Sequence, residues 1–391
     1  MRYSTWEIAF SLICLLTCVS IGACNSNHSS EKSNSSKISR STSSPASIRE
    51  IGEIGEKNED KLSEQHPLPF PIAFTSERDG NREIYVTLYA GSSGINISNN
   101  PGDDIDLKPF RDGGVFISTR DGDDDIFFVH YNQKLVFDNL TKNPATEKQL
   151  AVSPDLQNLL FTSNREGDMD IFLYQRDGFP PRNLTRNEAS DEMPIWMPDQ
   201  RNFLFESDRT GDYDIFIQPI EGGPAKNLTD NPAEDRFPSV SPDGKSMAFE
   251  SSRDGNIKIY LYKFDGGSVV NLSGDAKYDN TPLFSHDGKF LAFNHGIDEN
   301  QIKVMIMNLA DRSTRQITDY EKSIGVSGFS LDDKWLMYVS KRTGNFDVYI
   351  INLENGESID VTSNPASDYY PAFLPSADFP LIKSIAGSIQ K

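Results

Sequence analysis

The sequence predicts an all-β protein, a β-propeller built from four-stranded antiparallel blades. From residue 72 onward the chain repeats itself with a period near 44 residues, which is typical of stacked or radial arrays. Each repeat contains four short apolar runs, and each run is bounded by Gly, Pro, Asn or Asp, as strands joined by tight turns are. Four antiparallel strands per repeat of this length are typical of propeller blades.

The second strand of each unit is the most regular, and in most units it leads into a Ser-x-Arg-Asp-Gly turn or a variant of it. It occurs seven times, as "IAFTSERDG" (72), "VFISTRDG" (115), "LLFTSNREG" (159), "FLFESDRTG" (203), "MAFESSRDG" (247), "LAFNHGIDE" (291) and "LMYVSKRTG" (336). An apolar third strand follows, then a short fourth strand that ends in Asn-Leu-Thr or a relative. The next unit opens with a Pro-x-aromatic strand and a Ser-Pro-Asp-Gly turn.

The repeat count favours seven blades over six. The first unit lacks an innermost strand, and the last Pro-x-aromatic run, "YYPAFLP" (369–375), has no later strands to join. We therefore expect residues 370–374 to complete the first blade and close the ring, which would remove both sheet edges.

The acidic run "DGDDD" (121–125) invites comparison with a calcium loop, but its glycine and acids are spaced differently from that motif. Aligned stretches in other units place Asp170, Asp214 and Asp347 where this one has Asp125. Because Asx side chains often hydrogen-bond the backbone of their own turn, we interpret Asp125 as a turn residue. A metal ligand is the alternative.

The S-P-D-G and S-x-R-D-G motifs resemble those of the TolB-like propeller repeat family, and the resemblance covers nearly all of residues 70–375. It implies a propeller fold and an extracytoplasmic protein that binds other proteins. The chain departs from the family pattern in its seventh repeat and in the Ser-rich segment that stands where an α/β domain would be expected.

Four regions are predicted: a lipoprotein signal peptide (1–23), a disordered Ser-rich tether (24–66), the propeller (67–375) and a C-terminal tail (376–391). The apolar run from Ile8 to Val19 ends in Ile-Gly-Ala-Cys, so we expect lipidation of Cys24, the one cysteine that would remain after cleavage. Asn25 follows it in place of an inner-membrane retention Asp, which favours an outer-membrane location in the bacterial cell envelope.

The net charge of −20 excludes nucleic acid and anionic membrane surfaces as electrostatic partners. We expect a monomer that contacts the membrane through its lipid only. One acid stands three residues before the innermost strand's apolar run in six of the seven units, and Ile324 replaces it in the remaining one. These acids should ring the channel mouth and bind a protein or peptide with a basic segment, or a cation such as calcium: Asp106, Glu147, Asp191, Asp235, Asp279 and Asp368.

Each of these acids could instead cap a local turn. The sequence contains no Gly-x-Ser-x-Gly elbow, because "GVSGFS" (325–330) departs from that motif, and three scattered histidines after the tether do not make a metal site. A lipid-anchored binding or scaffold propeller is therefore predicted, with an enzyme acting on a saccharide or peptide as the alternative.

Overall fold

The computed structural model describes residues 67–131, 134–175, 180–298, 301–321 and 324–375. The predicted signal peptide with Cys24, the tether and the tail lie outside the described residues. Within these ranges every sheet is four-stranded and antiparallel, and there are seven such sheets. The predicted all-β, seven-bladed propeller is confirmed.

The blades are numbered along the chain, and each strand is given from the innermost outward. Blade 1 contains β28 (Asp368–Phe373), β1 (Pro67–Ser76), β2 (Glu83–Tyr89) and β3 (Ile95–Asn96). Blade 2 contains β4 (Asp104–Phe110), β5 (Gly113–Ser118), β6 (Asp125–Tyr131) and β7 (Leu135–Asn139). Blade 3 contains β8 (Glu147–Val152), β9 (Leu159–Ser163), β10 (Asp170–Tyr174) and β11 (Arg182–Asn183). Blade 4 contains β12 (Asp191–Trp196), β13 (Asn202–Ser207), β14 (Asp214–Pro219) and β15 (Lys226–Asn227).

The remaining three blades repeat the same order. Blade 5 contains β16 (Asp235–Val240), β17 (Ser246–Ser251), β18 (Lys258–Lys263) and β19 (Val269–Asn271). Blade 6 contains β20 (Tyr278–Phe284), β21 (Phe290–Asp298), β22 (Gln301–Asn308) and β23 (Thr314–Gln316). Blade 7 contains β24 (Ile324–Phe329), β25 (Trp335–Ser340), β26 (Asp347–Asn352) and β27 (Ser358–Asp360).

The ring is closed by the pairing of β28 with β1. Ile72 lies opposite Phe373 and Ser76 lies opposite Asp368, so the last described strand is the innermost strand of the first blade. The predicted closure by residues 370–374 is confirmed.

The second strand of a blade is buried at nearly every position, and its central residues are apolar, because both of its faces are covered by neighbouring blades. All five residues of β9 are buried, and Phe161 stacks on Phe172 of β10 with ring centroids 5.8 Å apart. A strand buried on both faces carries a continuous apolar run instead of an alternating pattern, and this explains why the second strands are the clearest repeats in the sequence.

A β-bulge interrupts the innermost strand of each blade, and in six blades a non-glycine residue at the bulge has a positive φ. These residues are Asp106, Gln149, Met193, Phe237, Thr281 and Tyr370, with φ between 46° and 59°. Such a conformation costs on the order of 1 kcal/mol. The preceding blade offsets this cost at some of these positions: the N–H of Phe237 donates to Glu206 Oε1 at 2.6 Å, and that of Thr281 donates to Glu250 Oε1 at 2.6 Å.

The two faces of the ring carry different connections. The turn between the second and third strands and the link to the next blade lie on one face, which we call the RDG face after its turns. The Ser-Pro-Asp-Gly turns lie on the opposite face, which we call the SPDG face. Because β1 enters and β28 leaves at the end away from the RDG turns, Pro67 and Pro375 both lie on the SPDG face.

Truncation of the chain should test ring closure. A chain ending at Asp368 loses most of β28 and the residues after it, and with them the buried side chains of Tyr370 and Leu374, which are 8% and 2% exposed. Those two side chains alone stabilise the fold by about 3–6 kcal/mol, and the loss opens two sheet edges. We expect aggregation or a large drop in melting temperature, whereas a chain ending at Ser376 should melt close to the full chain. Equal melting temperatures would contradict the closure.

Candidate functional site

The predicted ring of acids lies at the RDG end of the innermost strands. Glu147, Asp191, Asp235 and Asp368 are the first residues of their strands, and Asp279 is the second residue of β20. The structure therefore places five of the six predicted residues at equivalent positions. Their side chains are at most 3% exposed to solvent.

The assignment of Asp106 to this set is wrong. Asp104 lies opposite Ser118 in the same way that Asp191 lies opposite Ser207, so Asp104 occupies the equivalent position in blade 2. Asp106 is the bulge residue of β4, and its carboxylate lies 3.0 Å from Lys108 Nζ. The error arose because Pro109, which was taken as the strand marker, follows the first residue of the strand at a greater distance than in the other units.

Each of the first five blades pairs its buried carboxylate with the arginine of its own Ser-x-Arg-Asp-Gly turn. In blade 4 the Arg209 guanidinium donates to both carboxylate oxygens of Asp191, at 2.7 and 2.8 Å. We call this arrangement the arginine clamp. The other pairs are Arg78–Asp368 at 3.3 Å, Arg120–Asp104 at 3.0 Å, Arg165–Glu147 at 2.8 Å and Arg253–Asp235 at 2.9 Å.

The clamp joins three segments of the blade and also lies on aromatic rings. Arg209 Nε donates to Ser207 Oγ at the end of β13, and Asn187 in the preceding link donates to Asp191. The guanidinium lies 5.1 Å from the ring centroid of Phe205 and 4.7 Å from that of Phe216. An aromatic face below a cation adds to its stabilisation. The S-x-R motif is therefore a structural device of the blade.

Blades 6 and 7 depart from the clamp. In blade 6 His295 takes the register position of the serine, and its Nδ1 lies 2.7 Å from Asp279 Oδ1. Ile297, which stands at the arginine position, is 50% exposed. In blade 7 Ile324 replaces the acid, and Arg342 instead lies 3.5 Å from Glu321 in the preceding link.

The electrostatics of these carboxylates follow from burial and from the cation beside them. Burial raises the pKa of Asp104, Glu147, Asp235, Asp279 and Asp368, and the neighbouring arginine or histidine opposes that rise. A carboxylate that already accepts bonds from a guanidinium and an asparagine has little capacity left for a metal ion. The ring therefore does not fit calcium, and among the described residues no group of three or more His, Cys, Asp or Glu side chains is placed to hold a metal.

Asp125 of the "DGDDD" turn is likewise held by hydrogen bonds within its own blade. Asp125 is 4% exposed and accepts from Thr141 Oγ1 at 2.8 Å and from Asn139 Nδ2 at 2.7 Å. Thr141 Oγ1 accepts in turn from the N–H of Ile126 at 2.9 Å. Asp170 and Asp214 make the same bonds to their own Asn-Leu-Thr segments. These aspartates hold the fourth strand against the third, and the geometry supports the turn interpretation.

A second set of carboxylates on the RDG face is open to solvent. It lies in the turns between the second and third strands of blades 1 to 5, and we call it the acidic arc: Asp79, Asp121, Asp123, Glu166, Asp168, Asp212 and Asp254. The corresponding turn of blade 7 carries Lys341 and Arg342 and no acid. The sequence alone already places most of these acids in the turns between the second and third strands, and the structure shows that they are exposed.

Two carboxylates between blades 4, 5 and 6 are fully enclosed. Glu206 Oε2 accepts from Arg236 Nε at 2.8 Å, while Glu250, which lies next along the ring, binds the backbone N–H of Thr281. Burial raises the pKa of Glu250 to about 8, and nearby Glu206 adds to the rise. Sequence reasoning missed this pair because a glutamate in a Phe-Glu-Ser run looks like an exposed strand residue.

Comparisons with known proteins agree with the geometry. Residues 211–325 match the family described as the TolB beta propeller domain. Among solved structures, TolB from Acinetobacter baumannii is 18% identical with a TM-score of 0.53, and the match covers 79% of this chain and 67% of that one. No curated protein matches the chain.

Two enzymes share the fold. Oligogalacturonate lyase from Vibrio parahaemolyticus is 14% identical with a TM-score of 0.58, and the match covers 72% of this chain and 86% of that one. A puromycin-hydrolyzing peptidase from Mycobacterium tuberculosis is 13% identical with a TM-score of 0.62, and the match covers 76% of this chain but 52% of the peptidase, so the chain spans about half its length. The chain thus has a β-propeller fold in which residues 211–325 match the TolB propeller domain, and identities this low extend the likeness to the fold alone.

Substitution of a clamp carboxylate should lower stability whether or not calcium is present. Asp191→Asn leaves Arg209 without its buried partner, and breaking such a pair costs about 3 kcal/mol. Thermal melting with calcium, magnesium and chelator should show the same loss in each, and Asp212→Asn in the same turn is the exposed control. A calcium-specific rise in the melting temperature of the wild type that Asp191→Asn/Asp235→Asn abolishes would contradict this. It would support a calcium site formed by the predicted ring of acids.

The pH dependence of stability should report Glu250. Its folded pKa of about 8 exceeds the ordinary value of 4.5, so the folded state retains the proton over the range in which the unfolded state loses it. Its contribution to stability is therefore greatest below pH 4.5 and falls as the pH rises through 8. Glu250→Gln should flatten that fall and stabilise the protein at pH 9 by ~1–3 kcal/mol. Melting temperatures from pH 5 to 9 would test this, with exposed Glu354→Gln as the control; parallel curves for Glu250→Gln and the wild type would refute it.

Proposed function

We propose that the protein is a lipid-anchored, extracytoplasmic binding propeller of the bacterial cell envelope. It recognises a protein or peptide with a basic segment through the acidic arc on its RDG face. The observation that carries this proposal is the separation of the acids into two sets. The clamp carboxylates are buried and paired within the blades, whereas the arc carboxylates stand exposed on five consecutive blades.

The direction of the chain ends supports the same proposal. Pro67 and Pro375 both lie on the SPDG face, opposite the acidic arc. If Cys24 carries lipid, residues 25–66 connect the membrane to the SPDG face, and a flexible chain of this length has a root-mean-square span of ~35 Å. The arc would then face away from the membrane and be open to a partner. Within the described part of the chain, no helix has the length and apolar character needed to cross a bilayer.

Electrostatic attraction suits this arrangement. Clustered like charges raise the local concentration of oppositely charged segments and the rate of encounter, and both effects weaken with salt. The basic turn of blade 7 would repel a basic segment, so the partner should be oriented toward blades 1 to 5.

An enzyme acting on a saccharide or peptide is the second candidate. One observation favours it: the His295 ring is 29% exposed and its Nδ1 is held by the buried carboxylate of Asp279, an arrangement that leaves Nε2 available for proton transfer. Turnover of oligogalacturonate or peptide substrates that disappears in His295→Gln would favour this candidate over binding.

A charge-matched pair of variants tests the acidic arc. We expect a decalysine peptide to bind the chain at low ionic strength and to lose affinity as salt is added. Asp121→Asn/Asp123→Asn/Asp168→Asn/Asp212→Asn should weaken binding about tenfold or more. The control removes four exposed acids from turns on the SPDG face: Glu221→Gln/Asp265→Asn/Asp311→Asn/Glu354→Gln.

Anisotropy of the labelled peptide supplies the affinities. An equal loss in both quadruple variants would assign the attraction to the overall charge and refute a recognition face. The anchor is tested separately in cells: Cys24→Ala should move the protein from the membrane to the soluble fraction. A variant that stays membrane-bound with unchanged processing would exclude the lipid but leave the arc unaffected.

A further inference from the structure

A cleft of about 540 Å³ opens on the SPDG face between blades 5 and 6. Its apolar lining includes Leu261, Leu272, Phe284 and Leu309, and the carboxylates of Asp243 and Asp287 are among its polar groups. Leu272 is only partly buried here, whereas the residues at the same place in blades 2, 3 and 4, Leu140, Leu184 and Leu228, are at most 9% exposed. The junction therefore leaves apolar surface uncovered.

Among the described residues, no arginine bridges the two blades at this junction; such an arginine occurs in two other blades, and the matching positions of the remaining ones hold Ile95, Asp138, Lys226 and Ile359. In blade 3 Arg182 of β11 reaches the next blade and donates to Ile220 O at 2.6 Å. In blade 6 Arg315 of β23 does the same to Leu353 O at 2.9 Å. The position of matching register in blade 5 is Val270, opposite Leu261 as Arg182 is opposite Leu173. Leu309 follows β22 in the same way that Ile220 follows β14, so its carbonyl oxygen is the equivalent acceptor. A valine side chain has no donor and is too short to reach it.

The chain itself supplies a segment that can reach this cleft. β28 leaves the ring on the SPDG face, and 16 residues, 376–391, follow Pro375. Fully extended they span about 50 Å. Four strands at a spacing of about 4.8 Å give the ring a radius near 20 Å, so every point of that face lies within reach.

The chemistry of that segment matches the lining. The sequence "SADFPLIKSIAGSIQK" has large apolar residues at Phe379, Leu381, Ile382, Ile385 and Ile389, with lysines at 383 and 391. Apolar side chains suit the partly exposed leucines, whereas the charges of the lining are already balanced: Asp243 and Asp287 lie beside Lys245 and Lys289, and Lys263 and Arg312 also line the cleft. We propose that residues 376–391 dock in the cleft between blades 5 and 6 and cover the junction that lacks an arginine.

Proteolysis of the full chain tests the proposal, because Lys383 lies in the middle of the segment. Trypsin should release residues 384–391 more slowly from the folded wild type than from a synthetic peptide 376–391. Val270→Arg supplies the missing arginine, closes the cleft and should accelerate the release about tenfold. Val269→Arg is the matched control, since it adds the same charge on the opposite face of β19. Its rate should equal that of the wild type.

A second variant keeps the test decisive if Val270→Arg fails to fold. Ile382→Asp/Ile385→Asp alters only the segment, and it should raise hydrogen exchange in the peptides containing Leu272 and Leu309 without lowering the melting of the ring. Release from the wild type at the rate of the free peptide would overturn the proposal, as would unchanged exchange at the cleft. Protection that arises only when phosphatidylcholine–phosphatidylglycerol vesicles are added would assign the segment to a membrane surface and likewise overturn it.

Discussion

The arginine clamp is the interaction on which the rest of the RDG face depends. A carboxylate at the start of the innermost strand is removed from water, and that step is costly unless the charge is paired. The arginine that pairs with it comes from the turn between the second and third strands, and the serine and asparagine that complete the site come from the second strand and the preceding link. One buried charge therefore fixes the relative positions of a turn, a link and two strands, and the repeat of Ser, Arg and acid follows from that requirement.

The same clamp explains why a chain with a net charge of −20 forms a compact ring. Most of the clamp carboxylates have an internal cation, Asp125, Asp170 and Asp214 accept hydrogen bonds from Asn and Thr, and burial raises the pKa of Glu250 to about 8, so these acids add little repulsion to the core. The exposed acids of the acidic arc lie in turns where water and salt screen their charges. Blades 6 and 7 depart from the clamp, and the turn of blade 7 at residues 341–346 carries no acid.

Much of the fold could be predicted from the sequence because strand repeats and tight turns are local signals. Seven blades and closure by residues 370–374 followed from counting units with two incomplete ends. The slip from Asp104 to Asp106 had a different cause: in blade 2 Leu107 holds the position that Pro194 has in blade 4, and Pro109 lies two residues further along, so the proline was a poor guide to register. The clamp itself was missed although a signal was present, since Glu147, Asp191 and Asp235 each precede their arginine by the same 18 residues.

The repeat pattern could not predict how one blade differs from another. Burial depends on what the neighbouring blade presents, so Asp125 and Asp123, two residues apart in one acidic run, have opposite environments: one holds a strand and the other faces water. The contrast between Val270 and the bridging residues Arg182 and Arg315 is likewise visible only when the blades are compared in register. In a propeller the residues shared by most blades maintain the fold. The residues that differ from blade to blade can therefore vary without loss of the fold. Recognition is therefore best sought where one blade differs from the others, in the exposed turns of blades 1 to 5 and at the open junction between blades 5 and 6.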